Sequence, residues 1–297
     1  MAIERKTEMD ALGTSLLVGF SVLLGLNQAL VKIVNAGFSP LFQSGLRSVC
    51  AFLPVLIFAL IMKRHLSLTD GTLRWGFING LLFCGEFALL FEALDYTTVA
   101  RVSLFFYVMP VWVALAGHFL IPEEPLNRNK VIGLGLAVIG IAFALGSDLG
   151  EAPPDAWIGD LMALIAGMFW AGIALLTRIK LSNTSAEMNL LYQLGVSAII
   201  LTGLALLAGE PIREPTPLIY GAFAFQVIFI VCIGFLVWFW ILSIYPVSNM
   251  ASFGLLTPIF GVGFGWYLFD DPLTPAFFVA MVLAGLGIVI VNKPVKA

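Results

Sequence analysis

The sequence predicts an all-α integral membrane protein of ten transmembrane helices, arranged as two five-helix inverted repeats. Hydrophobic residues make up 60% of the 297 residues and charged residues only 11%, with a mean hydropathy of +1.02. A soluble domain is roughly 45–50% apolar and about 25% charged, so this surface suits lipid and not water. Ten long apolar runs and a pattern that recurs half a chain length later complete the prediction.

The apolar runs define the ten helices. A membrane-spanning helix needs about 20 mostly apolar residues. The predicted helices cover residues 11–34, 38–62, 72–94, 98–121, 130–147, 156–178, 186–208, 217–243, 248–269 and 274–292. These runs are too long for membrane strands and do not alternate in polarity. Their starts carry capping signals: Ser39-Pro40, Thr216-Pro217, Thr274-Pro275, and the capping-box spacing of Thr184 and Glu187.

An internal duplication relates the two halves. Pro110 and the acidic turn at Glu123-Glu124 recur as Pro258 and Asp270-Asp271, 148 and 147 positions later. A shift of 146 positions also aligns Ser39 with Ser185, Gln43 with Asn189, and Arg47 with Gln193. Since each half has five helices, the second half enters the membrane in the opposite direction. The predicted repeats are residues 1–147 and 156–292, joined by an acidic external linker at 148–155.

The distribution of Lys and Arg predicts the orientation. With the N-terminus in the cytoplasm, eleven of these residues fall on the cytoplasmic side and only Arg101 and Arg213 on the other. Both termini are therefore expected in the cytoplasm, in a bacterial-type inner membrane. The three cysteines lie inside apolar runs and are odd in number, which indicates small buried hydrophobes and neither a disulfide nor a metal site.

Two charged residues lie deep inside predicted helices 2 and 3. Arg47 and Glu86 are about 12–13 Å from the same ends of their helices at 1.5 Å per residue, so their matched depth predicts an ion pair. Charges inside the bilayer are costly and face a cavity or a partner. Two interpretations stay open: a structural pin between the helices, or a polar lining that binds a zwitterion or titrates.

Other polar residues of the first helices also have two interpretations. Asn27 and Gln28 lie mid-span in helix 1, where their amides need partners on other helices or on a ligand. Lys32 and Glu92 lie near the outer ends of helices 1 and 3, where they either reach the interface or form an outer gate. Gln193 takes the place of Arg47 in the second repeat and is a further candidate for the cavity.

Predicted helix 4 carries a stripe of small and polar residues. Ser103, Tyr107, Pro110, Ala114, Gly117 and His118 recur at spacings of three and four, which suits a cavity wall. His118 is near the cytoplasmic end and is expected to be a hydrogen-bonded interfacial residue more than a proton carrier. Pro110 and Pro258 each remove a backbone hydrogen bond and are either fixed kinks or pivots.

Aromatic residues make up 13% of the chain. Those deep in the spans either pack between helices or stack on an apolar substrate. The predicted substrate or cavity residues are Asn27, Gln28, Arg47, Glu86, Ser103, Tyr107, Trp112, Trp170, Tyr192, Gln193 and Trp238. The predicted gating or hinge residues are Lys32, Glu92, Pro110 and Pro258.

Three function classes suit a chain of this kind: a secondary transporter, an intramembrane enzyme and a channel. The sequence has no ATP-binding GxxxxGK[ST] loop. It has two histidines, neither HExxH nor GxSxG, and no carboxylate pair at mid-membrane, so we expect no enzyme. A channel would call for rings of repeated polar residues across an oligomer. A secondary transporter of small organic solutes is therefore predicted.

Several motifs resemble a known family. The segments Ala93–Thr98, Phe105–Pro110 and Phe119–Leu126 are similar to the repeat signature of the drug/metabolite transporter superfamily, EamA type. Arg47 matches the arginine common in its second helix, whereas Leu24 replaces the usual tryptophan before Gly25. The resemblance implies a central cavity formed by helices 3, 4, 8 and 9. It is most similar to the exporters of amino acids, including aromatic ones.

The resemblance implies export by alternating access, with neutral or aromatic amino acids as first candidates. A multidrug or other metabolite exporter and a passive facilitator stay open as alternatives. The expected partners are a small-molecule substrate, the lipid bilayer and protons as a candidate coupling ion. No nucleic acid, cofactor or metal is expected, and the chain is a monomer or a homodimer.

Overall fold

The chain folds into a bundle of apolar helices. The structure, a computed structural model, describes residues 10–121, 126–146, 153–209, 211–234, 237, 241 and 256–291. The helices are α1 (Ala11–Asn35), α2 (Pro40–Ile61), α3 (Leu73–Tyr96), α4 (Val99–Phe106), α5 (Met109–Leu120), α6 (Arg128–Gly146), α7 (Ala156–Lys180), α8 (Ala186–Ala208), α9 (Pro217–Phe225), α10 (Leu256–Phe269) and α11 (Pro275–Val291). A π-helical segment, Gln226–Gly234, continues α9.

The predicted all-helical membrane fold is confirmed. Seven segments of the described chain are long and apolar enough to cross a membrane, and Leu256–Phe269 and Pro275–Ile290 are shorter apolar helices. Most bounds agree with the prediction within two residues; helix 6, expected at 156–178, is α7 at Ala156–Lys180. The end of predicted helix 8 and the start of predicted helix 9 lie outside the described residues.

Predicted helix 4 is divided into α4 and α5. The chain leaves the helix at Tyr107 and Val108 and resumes it at Met109. Pro110 contributes to the break, because it has no N–H to donate to the carbonyl of Phe106 four residues earlier. Gly167 of α7 approaches that carbonyl so closely that a Cβ atom there would lie 2.8 Å from Phe106 O.

Two of the four predicted helix caps are present, and Ser39 lies at the N-cap of α2 without a side-chain capping bond. Thr216 Oγ1 accepts a hydrogen bond from Ile219 N at 3.4 Å, and Thr274 Oγ1 accepts one from Phe277 N at 3.2 Å. The capping box at Thr184 and Glu187 is wrong by one residue. Ser185 caps α8 through Met188 N at 3.2 Å, and Glu187 instead forms a salt bridge of 2.8 Å with Arg64.

Helix packing follows the duplication. The equivalent helices α2 and α8 pack against each other, as do α6 and α11. The packing of α1 on α10 has its counterpart in the packing of α7 on α4 and α5. The core of the molecule lies around α3, α4 and α7, with Phe91 and Phe105 fully buried.

Two pairs of contacts repeat across the pseudo-two-fold axis. Gln43 Nε2 donates to Gln226 Oε1 at 3.3 Å, and the equivalent amides Asn79 and Asn189 bond at 2.7 Å. At the helix ends, Ser39 N donates to the carbonyl of Pro211 at 3.0 Å, and Ser185 Oγ donates to the carbonyl of His65 at 3.0 Å. The sequence alignment of the halves is therefore also an alignment of their contacts.

The bundle has two sides. The linker side is where α1 ends at Asn35 and α7 begins at Ala156, and the terminal side is where α1 begins at Ala11 and α7 ends at Lys180. The charge distribution predicts that the linker side faces outward, and this orientation stays a prediction.

Candidate functional site

Five predicted site residues meet in the middle of the bundle. We call them the central group: Asn27 and Gln28 of α1, Arg47 of α2, Glu86 of α3, and Tyr107 at the end of α4. Their side chains are at least nine-tenths buried. Polar groups cluster in this way because in an apolar bundle they are stable only against one another or a ligand.

Arg47 holds its guanidinium against two aromatic rings. Its Cζ lies 4.4 Å from the ring centre of Phe87 and 4.8 Å from that of Phe91. Its hydrogen bond to Asn27 Oδ1 is long, at 3.5 Å. The faces of the rings stabilise the cation, and the edge of the guanidinium keeps most of its donors.

Arg47 and Glu86 interact electrostatically, but the predicted ion pair is not a direct contact. In the described part of the chain, the salt bridges within 4.0 Å are Arg64–Glu187, Arg101–Asp160 and Arg213–Asp95. Both side chains are 5% exposed, and their matched depth in the membrane stays a prediction. Among the described residues, α2 and α3 are therefore not joined by a direct salt bridge between Arg47 and Glu86.

Tyr107 links the charged pair to the remaining polar atoms. Its hydroxyl lies beside the Gln28 amide and interacts electrostatically with Glu86. Trp170 of α7 makes an edge contact with Tyr107 at 6.0 Å and stacks on Phe106 at 5.0 Å. The oxygens Gln28 Oε1 and Ser103 Oγ are buried and have no hydrogen-bond partner among the described atoms.

A second polar cluster closes the linker side. We call it the linker-side network: Lys32, Asn35, Asp95, Thr97, Arg101, Asp160, Arg213 and Asp271. Asp160 is fully buried and accepts from Arg101 Nε and Thr97 Oγ1, both at 3.0 Å. Asp95 accepts from Asn35 Nδ2 and Arg213 Nη1, both at 2.8 Å. These bonds join helices of both repeats.

The acidic turn after α10 belongs to this network. Asp271 Oδ2 accepts from Ala100 N at 2.9 Å and so caps α4, a helix of the other repeat. Burial raises the pKa of the Asp271 carboxyl, while the Ala100 N–H and the Lys32 ammonium oppose that shift. The equivalent turn Glu123-Glu124 lies outside the described residues.

A groove lies on the terminal side of the central group. It encloses about 390 Å³ between α1 and the π-helical segment, and its walls are mostly apolar, with Leu16, Gly19, Phe20, Leu23, Ile233 and Gly234. Leu23, on the wall of this groove, lies one helical turn before Asn27 on α1.

The comparisons with known proteins agree with this arrangement. The sequence model of the EamA-like transporter family matches residues 11–146 and again residues 157–293. The chain belongs to the EamA-like transporter family. The double match confirms the two-repeat architecture, whereas the predicted boundaries of the repeats stay a prediction.

This EamA-like transporter has several curated relatives. It is 22% identical to "Uncharacterized transporter YoaV" of Bacillus subtilis, over 92% of this chain and 94% of the relative. It is 26% identical to "Probable amino-acid metabolite efflux pump" of Salmonella typhimurium, over 91% of each chain. One crystal structure covers 93% of the chain with a TM-score of 0.64 and 20% identity, which shows the fold alone.

Several predicted cavity residues of the transporter lie apart from the central group. Tyr192 bonds to Thr72 Oγ1 at 3.0 Å on the terminal side, since it follows the start of α8 by only six residues. Its ring packs on Gly76. Gln193 is buried on α8, and Trp112 is half-buried with an unpartnered Nε1 among the described atoms. Trp238 lies outside the described residues.

The predicted gating residues have other partners than expected. Lys32 Nζ donates to the carbonyl of Thr97 at 2.7 Å and does not pair with Glu92. Glu92 is half-buried and interacts electrostatically with Asp95 and Arg213. Pro110 lies at the break before α5, and Pro258 lies in the first turns of α10. Their role as pivots stays a prediction.

The stripe on predicted helix 4 is mostly buried. Ser103 faces Gly261 of α10 so closely that a side chain at Gly261 has no room. The Ser103 end of the stripe therefore packs against a helix, while Tyr107 joins the central group. His118 Nδ1 accepts from Leu126 N at 3.2 Å, which agrees with the interfacial interpretation.

The sequence reasoning missed most of the linker-side network. The signal was present in Asp160, a carboxylate four residues inside an apolar helix of the second repeat. A buried carboxylate at that position needs a basic partner at the same depth, and Arg101 is one of the few basic residues near the linker-side ends of the helices. In the described part of the chain, no three His, Cys, Asp or Glu side chains are placed to hold a metal ion.

Proposed function

We propose that this EamA-like transporter is a secondary carrier that exports neutral or aromatic amino acids by alternating access. The observation that carries the proposal is the central group, in which polar side chains from four helices are buried inside an apolar bundle. Opposite charges beside aromatic rings suit a small zwitterion with an apolar side chain. The Salmonella relative's name, an amino-acid metabolite efflux pump, supports the same substrate class.

Alternating access is supported by the difference between the two sides. On the linker side, Asp160 and Asp95 join both repeats through charged hydrogen bonds. On the terminal side, an apolar groove lies between α1 and the π-helical segment. With the predicted orientation in a bacterial inner membrane, the charged contacts join the repeats on the outer side and the groove lies on the cytoplasmic side, where an exporter collects its substrate.

A multidrug exporter is the second candidate. The rings of Phe87, Phe91 and Trp170 near the central group also suit a hydrophobic amine. The two substrates differ in one respect: an amine drug has no carboxylate and gives the guanidinium of Arg47 nothing to bind. A substrate panel therefore separates the candidates.

The experiment is flux in proteoliposomes that contain the purified protein and labelled phenylalanine, with and without a pH gradient. We expect saturable flux that other neutral and aromatic amino acids compete for and that amine drugs do not. Arg47→Gln is expected to lower the flux at least tenfold, and the exposed control Arg74→Gln to stay within twofold. Competition by drugs alone, or flux that does not saturate, would contradict the proposal.

A further inference from the structure

The guanidinium of Arg47 has more hydrogen-bond donors than partners. An arginine carries five N–H donors in a planar fork. In this structure Arg47 is 5% exposed, and its hydrogen bond to Asn27 is 3.5 Å long, at the limit of such contacts. The rings of Phe87 and Phe91 lie against the cation and accept no conventional hydrogen bond. Among the described residues, no other hydrogen bond uses its N–H donors, which are available for a planar anion.

Glu86 is the matching unfilled acceptor. Its side chain is 5% exposed, and it accepts no hydrogen bond from any residue that the structure describes. It interacts with Arg47 electrostatically from beyond salt-bridge distance. A buried charge without a hydrogen-bond partner is costly. One ligand that carries both an anionic and a cationic group would give each of these two charges a hydrogen-bonded partner.

We infer that Arg47 and Glu86 are the two poles of a zwitterion site, with Arg47 binding the carboxylate of an α-amino acid and Glu86 its ammonium. This inference rests on the proposed function and names the residue that binds each charged group of the substrate. An amino acid carries both charges on one carbon atom, so it bridges two opposite charges that do not reach each other. The fork of Arg47 fits the two oxygens of a carboxylate.

The remaining polar atoms of the site fit the same ligand. An ammonium has three N–H donors, more than one carboxylate uses. Gln28 Oε1 is a buried acceptor without a partner in the described structure, and it belongs to the amide beside Tyr107. Tyr107 in turn lies within electrostatic reach of Glu86. Gln28 is thus placed to take a second N–H on the Glu86 side of the ligand.

The aromatic residues assign the side-chain end of the ligand. Tyr107, Trp170 and Phe106 form one contiguous set of rings, with centre distances of 5.1, 5.0 and 6.0 Å. Such a set binds an apolar or aromatic side chain and offers no charge to a basic or acidic one. The site therefore takes neutral amino acids with large side chains.

The test measures binding of three ligands to the purified full-length protein: phenylalanine, phenylalanine methyl ester and 3-phenylpropionate. The ester lacks the carboxylate charge and the propionate lacks the ammonium. The wild-type protein is expected to bind phenylalanine at least tenfold more tightly than either analogue. No variant is needed for this part, so it does not depend on the folding of a mutant.

The variants then show which residue binds the carboxylate and which binds the ammonium. Arg47→Gln is expected to reduce the preference for phenylalanine over its ester to within twofold and to keep the preference over the propionate. Glu86→Gln is expected to do the reverse. Arg47→Lys keeps the charge without the fork and is expected to keep the preference at lower affinity. The exposed Arg74→Gln serves as the charge-matched control, and melting curves show that each variant is folded.

The outcomes separate this inference from the proposed function. If phenylalanine binds and each variant weakens all three ligands by the same factor, the poles are assigned wrongly and the amino-acid carrier stands. If the wild-type protein binds the ester as tightly as phenylalanine, the carboxylate pole does not exist. If phenylalanine neither binds nor crosses the membrane, the proposed function fails together with the inference.

Discussion

At the scale of single residues, the charges of this transporter do two different things. Arg47 and Glu86 are buried apart, whereas Arg101 and Asp160 are buried together, with Asp160 fully enclosed. Removing one partner of a buried pair leaves an uncompensated charge, which typically costs about 3–5 kcal/mol. The Arg101–Asp160 pair therefore stabilises the linker side of the bundle, whereas we propose that Arg47 and Glu86 bind a ligand.

The first prediction concerns Asp160. Asp160→Asn is expected to lower the free energy of unfolding by about 3–5 kcal/mol, because it leaves Arg101 buried without its counter-charge. Thermal unfolding in detergent measures the change. The control is Asp155→Asn, an exposed acid at the start of the same helix whose side chain forms no capping bond. Equal melting temperatures for the two variants would contradict a stabilising role for the pair.

At the scale of helices, the divided span α4–α5 is positioned by contacts with other helices and by a break at its own proline. Asp271 caps its first turn from the other repeat, and Pro110 separates its two parts. Close approach of α1, α4 and α10 depends on glycine, because a Cβ atom on Gly25 would lie 2.7 Å from Gly261 N. Small residues let helix backbones approach in this way inside membranes.

The second prediction compares two glycines of this contact. Gly25→Ala is expected to destabilise the protein by about 1–3 kcal/mol, since its methyl group overlaps Phe260 and Gly261 of α10. Gly263→Ala on α10 meets nothing within 4 Å and is expected to be neutral or stabilising by up to about 1 kcal/mol. Melting curves of both variants test this. A stable Gly25→Ala protein would show that α1 and α10 are not in close contact.

The helices and the central group were predictable from the sequence for one physical reason: the cost of polarity in lipid. That cost sets the length of each apolar run. It also makes a charged residue deep inside a run rare, which is why Arg47 and Glu86 were selected in helices 2 and 3. The linker-side contacts were not predictable in the same way. Asp95 lies at the end of α3 and Arg213 in the loop before α9, where a charge needs no partner, so only the packing of α1 on α3 and α9 reveals their bonds.

Two local features also escaped prediction because tertiary packing decides them. The residues Tyr107 and Val108 leave the helix, although a proline alone is compatible with a kink. The π-helical turns at Gln226–Gly234 carry no proline or glycine until the last residue. Tyr192 was assigned to the cavity from its depth and aromatic character, and depth alone does not tell which side of a helix faces the centre.

At the scale of the whole molecule, two similar halves make unequal contacts. The α3 helix packs closely on α7 and α8, whereas the equivalent α9 and π-helical segment leave a groove beside α1. In an inverted repeat, each half can adopt the packing of the other half. Such an exchange would close the groove beside α1 and break the hydrogen bonds of the linker-side network. The central group lies in the middle of the bundle, where we propose that the substrate binds.

Counterflow tests the central claim most directly, because only a carrier couples the movement of one substrate molecule to that of the next. Proteoliposomes loaded with unlabelled phenylalanine are diluted into a trace of labelled phenylalanine. We expect transient accumulation of label above its equilibrium level, which disappears with Arg47→Gln and persists with Arg74→Gln. Monotonic equilibration of the label, at a rate independent of the internal phenylalanine, would show a channel and contradict alternating access through the central group.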